Sequence, residues 1–410
     1  MRRRVVGTLS LLLSVGLVAA ACGPARTRDA AGVRLAPADT AALPGDSTTP
    51  GSVPATDPTS GGTNPTGSDS TTPDPTAPVA TDGSDTSDAS IPETTSEPVT
   101  TQPAPLNPLT GLVQADPLLV YRPAVVVKID GHLRARPQFG LERADIVIEE
   151  IVEGITRFMA VFHSDVPEVV GPVRSARTQD MLIVPMLNTP IFVWSGGNRK
   201  VSSIVRKGPV VNISASTASG RSVFYRTKKR RGPHNLLARG SRILAIATET
   251  ARQPQQLFTY RSADAGIGGR NIDGAKVRMS STRVQWLWSA EQQRWLRSSD
   301  GKVHLVDGGR QVSADNVVIL EVKYTRSKAD PRSPEAQTVG TGTAMVLTGG
   351  RLIVGTWSRQ VLGEPWVLRD GNGEVIALTP GQTWVELALT NRTSLIEPGV
   401  NPATVPWKAK

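Results

Sequence analysis

A polar, proline-rich segment near the start of the chain limits which part of it can fold. From residue 23 to about residue 105 the sequence is mostly Thr, Ser, Pro, Asp, Ala and Gly, and it contains no aromatic residue. Such a composition cannot bury enough apolar surface to offset the conformational entropy that is lost on ordering. We therefore predict a disordered tether over residues 22–105 and a folded region that starts near residue 106.

The residues before this tether have the layout of a bacterial lipoprotein signal. Three arginines at positions 2–4 precede an apolar run over residues 5–18, and three alanines then lead to Cys22. A membrane-spanning helix needs roughly 20 apolar residues, so a signal peptide over residues 1–21, cleaved before a lipidated Cys22, is favoured over a retained signal-anchor helix. The pattern predicts an extracytoplasmic protein that is anchored to the cell membrane by lipid. Because Cys22 is the only cysteine, disulfides, thiolate metal sites and cysteine catalysis are excluded from the folded region.

Charge is distributed unevenly along the chain. The tether holds 3 arginines and 11 acidic residues, whereas the chain from residue 106 onward holds 40 basic and 25 acidic residues, a net charge of +15. A basic folded region attracts anionic partners at long range. Outside the cell these would be wall phosphopolymers, lipid headgroups or acidic glycans; the alternative is that the charge serves solubility alone. The densest basic run, TKKRRG at residues 227–232, has only Tyr225 as a neighbouring stacking aromatic, so we predict no nucleic-acid partner.

Periodicity divides the folded region into two parts. Strand-like runs such as AVVVKID (residues 124–130) alternate with helix-like ones such as NRKVSSIVRK (residues 198–207), and another helix is expected to be capped near Ser175 or Thr178. This alternation predicts an α/β N-terminal domain with a mixed sheet and flanking helices over residues 106–262. After a glycine-rich connection, hairpin signals such as Asp300-Gly301 predict a β-rich C-terminal domain over residues 276–395, followed by a tail over residues 396–410. Six of the eight tryptophans lie between residues 286 and 384, and they suit core packing or, alternatively, a surface platform for sugar rings.

Several blocks of the sequence resemble the YerB-like lipoprotein family. The most specific are RPQFGLERADIV and, at the right distance after it, VGPVRSAR; GPHNLL, GTWSR and LTPGQTWVEL extend the resemblance over nearly all of residues 106–395. The resemblance implies a secreted, usually lipid-anchored protein with an α/β N-terminal and a β-rich C-terminal domain. It implies no established reaction.

The candidate functional residues lie in the family-like blocks of the N-terminal domain. The candidates for acid–base catalysis are Asp130 at a strand end, Glu150, and His234 in a turn after Gly-Pro. Arginines near a helix start, with hydroxyl and amide groups beside them, could bind a phosphate or carboxylate. This anion-binding set comprises Arg136, Arg157, Arg174, Ser175, Arg177, Arg226 and Asn235. The alternative is that these arginines form internal ion pairs with the acidic residues between positions 145 and 153.

No metal or cofactor is predicted. The four histidines are scattered without ligand-like spacing, and the acidic run at residues 370–374 suits a hairpin turn better than a Ca²⁺ site. Neither a nucleophile elbow nor a P-loop occurs. One hypothesis is a non-catalytic, lipid-anchored envelope protein whose arginine-rich face binds an anionic wall component or an envelope protein. The other is a cell-envelope hydrolase or transferase that acts on a wall polymer through Asp130, Glu150 and His234.

Overall fold

The computed structural model describes residues 104–246 and 249–409. The predicted signal peptide, Cys22 and nearly all of the predicted tether lie outside these residues. Within them, no helix is both long enough and apolar enough to cross a membrane.

Among the described residues, β-strand is more abundant than helix. The strands are β1 (Val125–Asp130), β2 (Ile146–Val152), β3 (Ile155–Phe162), β4 (Val169–Val170), β5 (Ile191–Trp194), β6 (Val211–Ser214), β7 (Phe224–Arg226), β8 (Leu236–Arg239), β9 (Arg270–Asn271), β10 (Gly274–Met279), β11 (Thr282–Ser289), β12 (Arg294–Ser299), β13 (Lys302–Val303), β14 (Ser313–Ala314), β15 (Asn316–Val322), β16 (Tyr324–Arg326), β17 (Pro334–Ala336), β18 (Gly340–Thr348), β19 (Arg351–Arg359), β20 (Val367–Asp370), β21 (Thr383–Leu389) and β22 (Thr393–Ile396). The α-helices are α1 (Asp180–Ile183), α2 (Arg199–Lys207), α3 (Gly220–Val223) and α4 (Gly240–Leu244), and 3₁₀ helices cover Pro117–Tyr121, Leu133–Ala135, Leu141–Arg143, Val184–Leu187 and Pro402–Thr404.

Eleven of these strands form one mixed sheet, in the order β20-β19-β18-β15-β21-β2-β3-β1-β5-β6 with β9 beside β19. Strand β1 is antiparallel to β3 and parallel to β5, which is in turn parallel to β6. The predicted mixed sheet of the N-terminal part and the strand-rich C-terminal part are confirmed. The two parts share this sheet because β2 pairs in parallel with β21, from Ile146 opposite Thr383 to Glu149 opposite Glu386.

The second large sheet covers one face of this mixed sheet. It has the order β13-β12-β11-β10-β22 with β14 on β12, and its Trp286 and Trp295 lie in the same core as Val147 and Phe158. Five of the six tryptophans between residues 286 and 384 are at most 3 % exposed. Core packing, rather than a sugar platform, therefore explains their presence.

Helices cover part of the other face. Val201 and Val205 of α2 pack in a core with Val126 of β1, and Asn198 caps α2 by accepting a hydrogen bond from the Val201 N–H at 2.9 Å. This helix was predicted correctly. The helix expected to start near Ser175 or Thr178 begins only at Asp180. The reason is that the preceding residues hydrogen-bond to other segments: the Arg174 N–H donates to the Lys128 carbonyl, and the Ala176 N–H to the Gly196 carbonyl.

Two turns have the structure that their sequences predict. Asp300 and Gly301, between β12 and β13, both have positive φ angles of 54° and 74°, as a type I′ hairpin turn requires. Asp370 caps its own turn by accepting the N–H groups of Asn372 and Glu374, each at 2.9 Å. In the described residues no three His, Cys, Asp or Glu side chains come together as metal ligands would.

Candidate functional site

The candidate site lies where the parallel strands β1 and β5 end. Asp130 is the last residue of β1, and its side chain is completely buried. The next residue must be glycine, since a Cβ on Gly131 would lie 2.3 Å from the Thr156 carbonyl oxygen. The carboxyl ends of parallel strands are a common location for ligand sites in α/β sheets.

Asp130 binds three groups that come from different segments. Its Oδ2 lies 2.7 Å from His234 Nδ1 and 3.3 Å from Arg174 Nε, and its Oδ1 accepts the His132 N–H at 3.0 Å. The structure thus brings together Asp130, Arg174 and His234, which were separate candidates in the sequence. Because the Asp130 carboxylate accepts a hydrogen bond from Nδ1–H, it fixes the orientation of the His234 ring and leaves Nε2 as the nitrogen that could contact a ligand. Among the described residues no group hydrogen-bonds to this Nε2.

A second histidine lies against the first. The His132 and His234 rings stack with centroids 4.7 Å apart and an angle of 25° between their planes. His132 Nδ1 accepts the Arg134 N–H at 3.0 Å, so its proton is carried by Nε2. Burial, together with the neighbouring His234, lowers the pKa of His132. This histidine is therefore neutral at pH 7.

His234 opens into a cavity of about 480 Å³, which we call the cationic cleft. It is lined by Arg134, Arg230, Arg231, Gly232, Pro233 and His234. Arg230 is fixed in place because its guanidinium donates to the carbonyls of Ala135 at 2.6 Å and Pro137 at 2.5 Å. Arg134 and Arg231 are exposed. None of the lining residues is acidic, so this arrangement suits an anion.

Two predicted anion-binding residues are instead buried in internal contacts. Arg157 donates to the Ser175 carbonyl at 2.8 Å, and Arg177 pairs with Glu153 at 2.8 Å. Burial lowers the pKa of Arg157 to about 10. For these two arginines the structure matches the internal ion-pair alternative.

Glu150 is likewise enclosed. Its carboxylate forms an ion pair with Lys128, and Lys128 Nζ also lies 2.9 Å from Asp180 Oδ1; all three side chains have no exposed surface. Burial lowers the pKa of Lys128 to about 8, although Asp180 opposes this change. Glu150 has no access to solvent in this position.

The other predicted residues lie around the site without joining it. Arg136 donates to Ser299 Oγ at 2.9 Å, and Arg226 donates to Asn235 Oδ1 at 2.8 Å. Ser175 Oγ is 3.5 Å from Ser195 Oγ. The predicted set omitted four residues of the site: His132, Arg134, Arg230 and Arg231. The signal for Arg230 and Arg231 is the basic TKKRRG run at residues 227–232, from which we predicted only the lack of a nucleic-acid partner; His132 and Arg134 lie outside that run.

Below Asp130 a chain of buried hydrogen bonds reaches the second sheet. Gln138 donates to the Asp130 carbonyl at 2.9 Å, and its Oε1 lies 2.9 Å from His304 Nε2. His304 Nδ1 is 2.6 Å from Arg297 Nη1, and Arg297 pairs with Glu149 at 2.7 Å. Burial holds the pKa of His304 well below its usual value, so the ring is neutral. Its neutral form accepts from Arg297 and donates to Gln138, which satisfies both ring nitrogens.

Two family models match the chain: "Protein of unknown function (DUF3048) N-terminal domain" over residues 109–253 and the corresponding C-terminal domain over residues 275–385. A relative named "Putative lipoprotein YerB", from Bacillus subtilis (strain 168), is 30% identical over 291 residues, which are 68% of this chain and 85% of the relative. The chain belongs to the YerB-like family. The crystal structure of YerB protein from Bacillus subtilis is similar as well, with 27% identity and a TM-score of 0.62 over 71% of this chain and 99% of that one. The resemblance predicted from the sequence blocks is confirmed.

Proposed function

We propose that this YerB-like chain is a lipid-anchored extracytoplasmic protein that binds an anionic component of the cell envelope in the cationic cleft. The observation that carries the proposal is the convergence of Arg134, Arg230 and Arg231 on one cavity beside His234, with no acidic residue in the lining. Forked guanidinium groups suit phosphate and carboxylate oxygens. Wall phosphopolymers carry many such groups.

The predicted signal supports the cellular location. Arginines, an apolar run and small residues precede Cys22, and the Bacillus relative is named as a lipoprotein. Lipid on Cys22 would hold the folded region on the outer side of the membrane, where wall polymers are within reach of a long tether.

Binding to a soluble poly(glycerol phosphate) tests the proposal. The double variant Arg134→Ala/Arg231→Ala removes two exposed guanidinium groups from the cleft. We expect its affinity for the polymer to fall by about tenfold or more, since one hydrogen bond to a charged group contributes about 1.5–3 kcal/mol. The matched control is Arg199→Ala/Arg206→Ala, which removes the same charge from the exposed surface of α2.

The control variant separates a site from general attraction. If the protein binds the polymer and both double variants weaken the affinity equally, net charge alone explains binding and the cleft has no special role. If the wild-type chain does not bind the polymer at all, the proposal fails for this ligand class.

The Asp130–His234 contact favours one second candidate, a hydrolase or transferase that acts on the bound polymer. An aspartate at Nδ1 orients a histidine so that Nε2 can move a proton, and positioned acid–base groups contribute typically 10²–10⁴-fold to a rate. Arg174 and the cleft arginines would hold the anionic substrate beside it. We expect soluble fragments to be released from the polymer by the wild-type chain and about 100-fold more slowly by His234→Gln. Stable binding of the polymer without any fragment release would contradict the enzymatic candidate and support binding as the function.

A further inference from the structure

An apolar groove opens next to the cationic cleft. The cavity measures about 350 Å³ and is lined by Leu133, Arg136, Pro137, Lys302, Val303, Leu305, Val306 and Gly309. Three of its apolar side chains are well exposed: Leu133 by 47%, Val303 by 54% and Leu305 by 42%. Apolar side chains grouped in this way on a surface mark a binding site more often than scattered ones do.

The groove and the cationic cleft share a wall. Leu133 lines the groove, and the next residue, Arg134, lines the cleft. Arg230, on the cleft side, donates to the carbonyls of Ala135 and Pro137 and so fixes this wall. A ligand that bridges the two cavities therefore needs to cross only one short segment.

The opposite wall of the groove is also held in place. Gln138 pairs in parallel with Val306, and its carbonyl accepts the Asp307 N–H at 2.8 Å. The exposed apolar side chains of Val303 and Leu305 are thus mounted on a segment that is hydrogen-bonded to the first wall. Both sides of the groove are prearranged, which reduces the ordering cost of binding.

We propose that the two cavities together bind one anionic amphiphile from the membrane, with its phosphate in the cationic cleft and the start of its hydrocarbon chain in the groove. This inference rests on the proposed function, and it specifies that the anion is linked to a lipid. A free wall polymer would leave the groove uncovered. The groove lies at the lower end of the usual range for ligand cavities, about 300–1,000 Å³, which suits a short section of a chain. Arg136 and Lys302 at its edge add positive charge toward the same ligand.

A series of soluble probes separates the two parts of this ligand. The probes are glycerol 3-phosphate, dihexanoyl phosphatidic acid and dihexanoyl phosphatidylcholine, each kept below its micelle concentration. Calorimetry is done with the chain expressed from residue 22 with Cys22→Ser, which keeps the predicted tether and all described residues. We expect the phosphatidic acid to bind about tenfold or more tighter than glycerol 3-phosphate, because burying a few methylene groups suffices for that gain. The phosphatidylcholine should bind more weakly than the phosphatidic acid, because its headgroup has no net charge.

Substitutions in the groove then identify where the chain binds. Val303→Ser/Leu305→Ser should remove the gain from the hydrocarbon chains and leave the affinity for glycerol 3-phosphate unchanged; Leu133→Ser provides a second, single-site version. The matched control is Val361→Ser/Leu362→Ser, a pair that is 55% and 39% exposed elsewhere on the surface. We expect this control to keep the full gain.

The outcomes distinguish this inference from the proposed function. If glycerol 3-phosphate and poly(glycerol phosphate) bind but the hydrocarbon chains add nothing, or if the groove variants keep the gain, the lipid inference is overturned and the anion site stands. Equal binding of the two lipids would also overturn it, since the cleft would then not select the anion. If neither the polymer nor any phosphate probe binds, both proposals fail.

Discussion

At the residue scale, Asp130 and the Arg134 backbone N–H determine which ring nitrogens of the two stacked histidines carry protons. Asp130 Oδ2 accepts a hydrogen bond from His234 Nδ1–H, whereas His132 Nδ1 accepts a hydrogen bond from the Arg134 backbone N–H. The two rings, 4.7 Å apart, therefore carry their protons on different nitrogens.

We expect NMR of the imidazole nitrogens to show a proton on Nδ1 of His234 and the Nε2–H tautomer for His132. The substitution Asp130→Asn should reduce the Nδ1–H population of His234 because the carboxylate acceptor is lost. His132 serves as the internal control. The same tautomer on both rings in the wild-type chain would contradict the described contacts.

The burial of His163 predicts how the free energy of unfolding changes with pH. It is fully buried, its Nδ1 lies 3.1 Å from Asn107 Nδ2 and its Nε2 lies 3.1 Å from the Arg122 carbonyl. Burial, with Arg122 nearby, lowers its pKa to about 4. The unfolded state, with an ordinary histidine pKa of about 6.5, binds more protons below that pH, so folding stability falls from pH 6.5 toward pH 4.

Between pH 7 and pH 5 this histidine should reduce the free energy of unfolding by about 2 kcal/mol. Urea unfolding at pH 7 and pH 5 measures the change. His163→Gln should be less stable at pH 7 but should lose about 2 kcal/mol less than the wild-type chain on acidification. Equal losses in the two proteins would show that His163 is not the titrating group.

Local sequence patterns predict the elements that depend on neighbouring residues alone. Strand β1, helix α2 and the Asp300-Gly301 turn could be predicted because their burial pattern, cap or φ angles are set within a few residues. The helix start near Ser175 could not, because residues 174–176 form hydrogen bonds with β1 and with the segment after β5. Those partners are distant in sequence and leave no local pattern.

Substitution by alanine should reduce the free energy of unfolding to different extents at two glycines near strand ends. Gly301 has a φ of +74° but open space around its Cβ position, so Gly301→Ala should cost about 1 kcal/mol through backbone strain alone. Gly131→Ala places a methyl group 2.3 Å from the Thr156 carbonyl oxygen and must displace backbone beside Asp130. We expect the larger loss of stability, and a changed His234 tautomer signal, only for Gly131→Ala. Equal effects in urea unfolding would contradict this account of the strand end.

At the scale of the whole molecule, the N-terminal and C-terminal parts share a single continuous sheet. The sequence predicted a mixed sheet and a β-rich part but not their union, because the β2–β21 pairing joins segments more than 200 residues apart. The same is true of the site. Local patterns indicated Asp130 and His234 separately but not their contact. They also could not predict that Glu150 is buried beside Lys128 and Asp180, because that depends on the tertiary structure.

Buried charges reinforce this union. Arg297 of the second sheet pairs with Glu149 of β2, and Glu386 of β21 accepts a hydrogen bond from Trp286 at 2.9 Å. Burial beside Glu149 raises the pKa of Glu386 well above its usual range, so Glu386 is the protonated member of this pair.

Arg297→Met should cost about 3–5 kcal/mol, because it leaves the Glu149 carboxylate buried without the positive charge that pairs with it. Glu386→Gln should cost less than about 1.5 kcal/mol, because the amide resembles the protonated acid already present. Urea unfolding at pH 7 compares the two variants. A larger loss for Glu386→Gln would mean that Glu386 is ionised and that the described charge state is wrong.

The most direct test of the central claim uses the four histidines as reporters during an NMR titration with poly(glycerol phosphate). His132 and His234 lie at the cationic cleft, whereas His163 and His304 are fully buried elsewhere. Binding in the cleft predicts that the imidazole signals of His132 and His234 shift with the added polymer while those of His163 and His304 stay in place. Binding without any shift of His132 and His234 would contradict the claim that this cleft is the anion site.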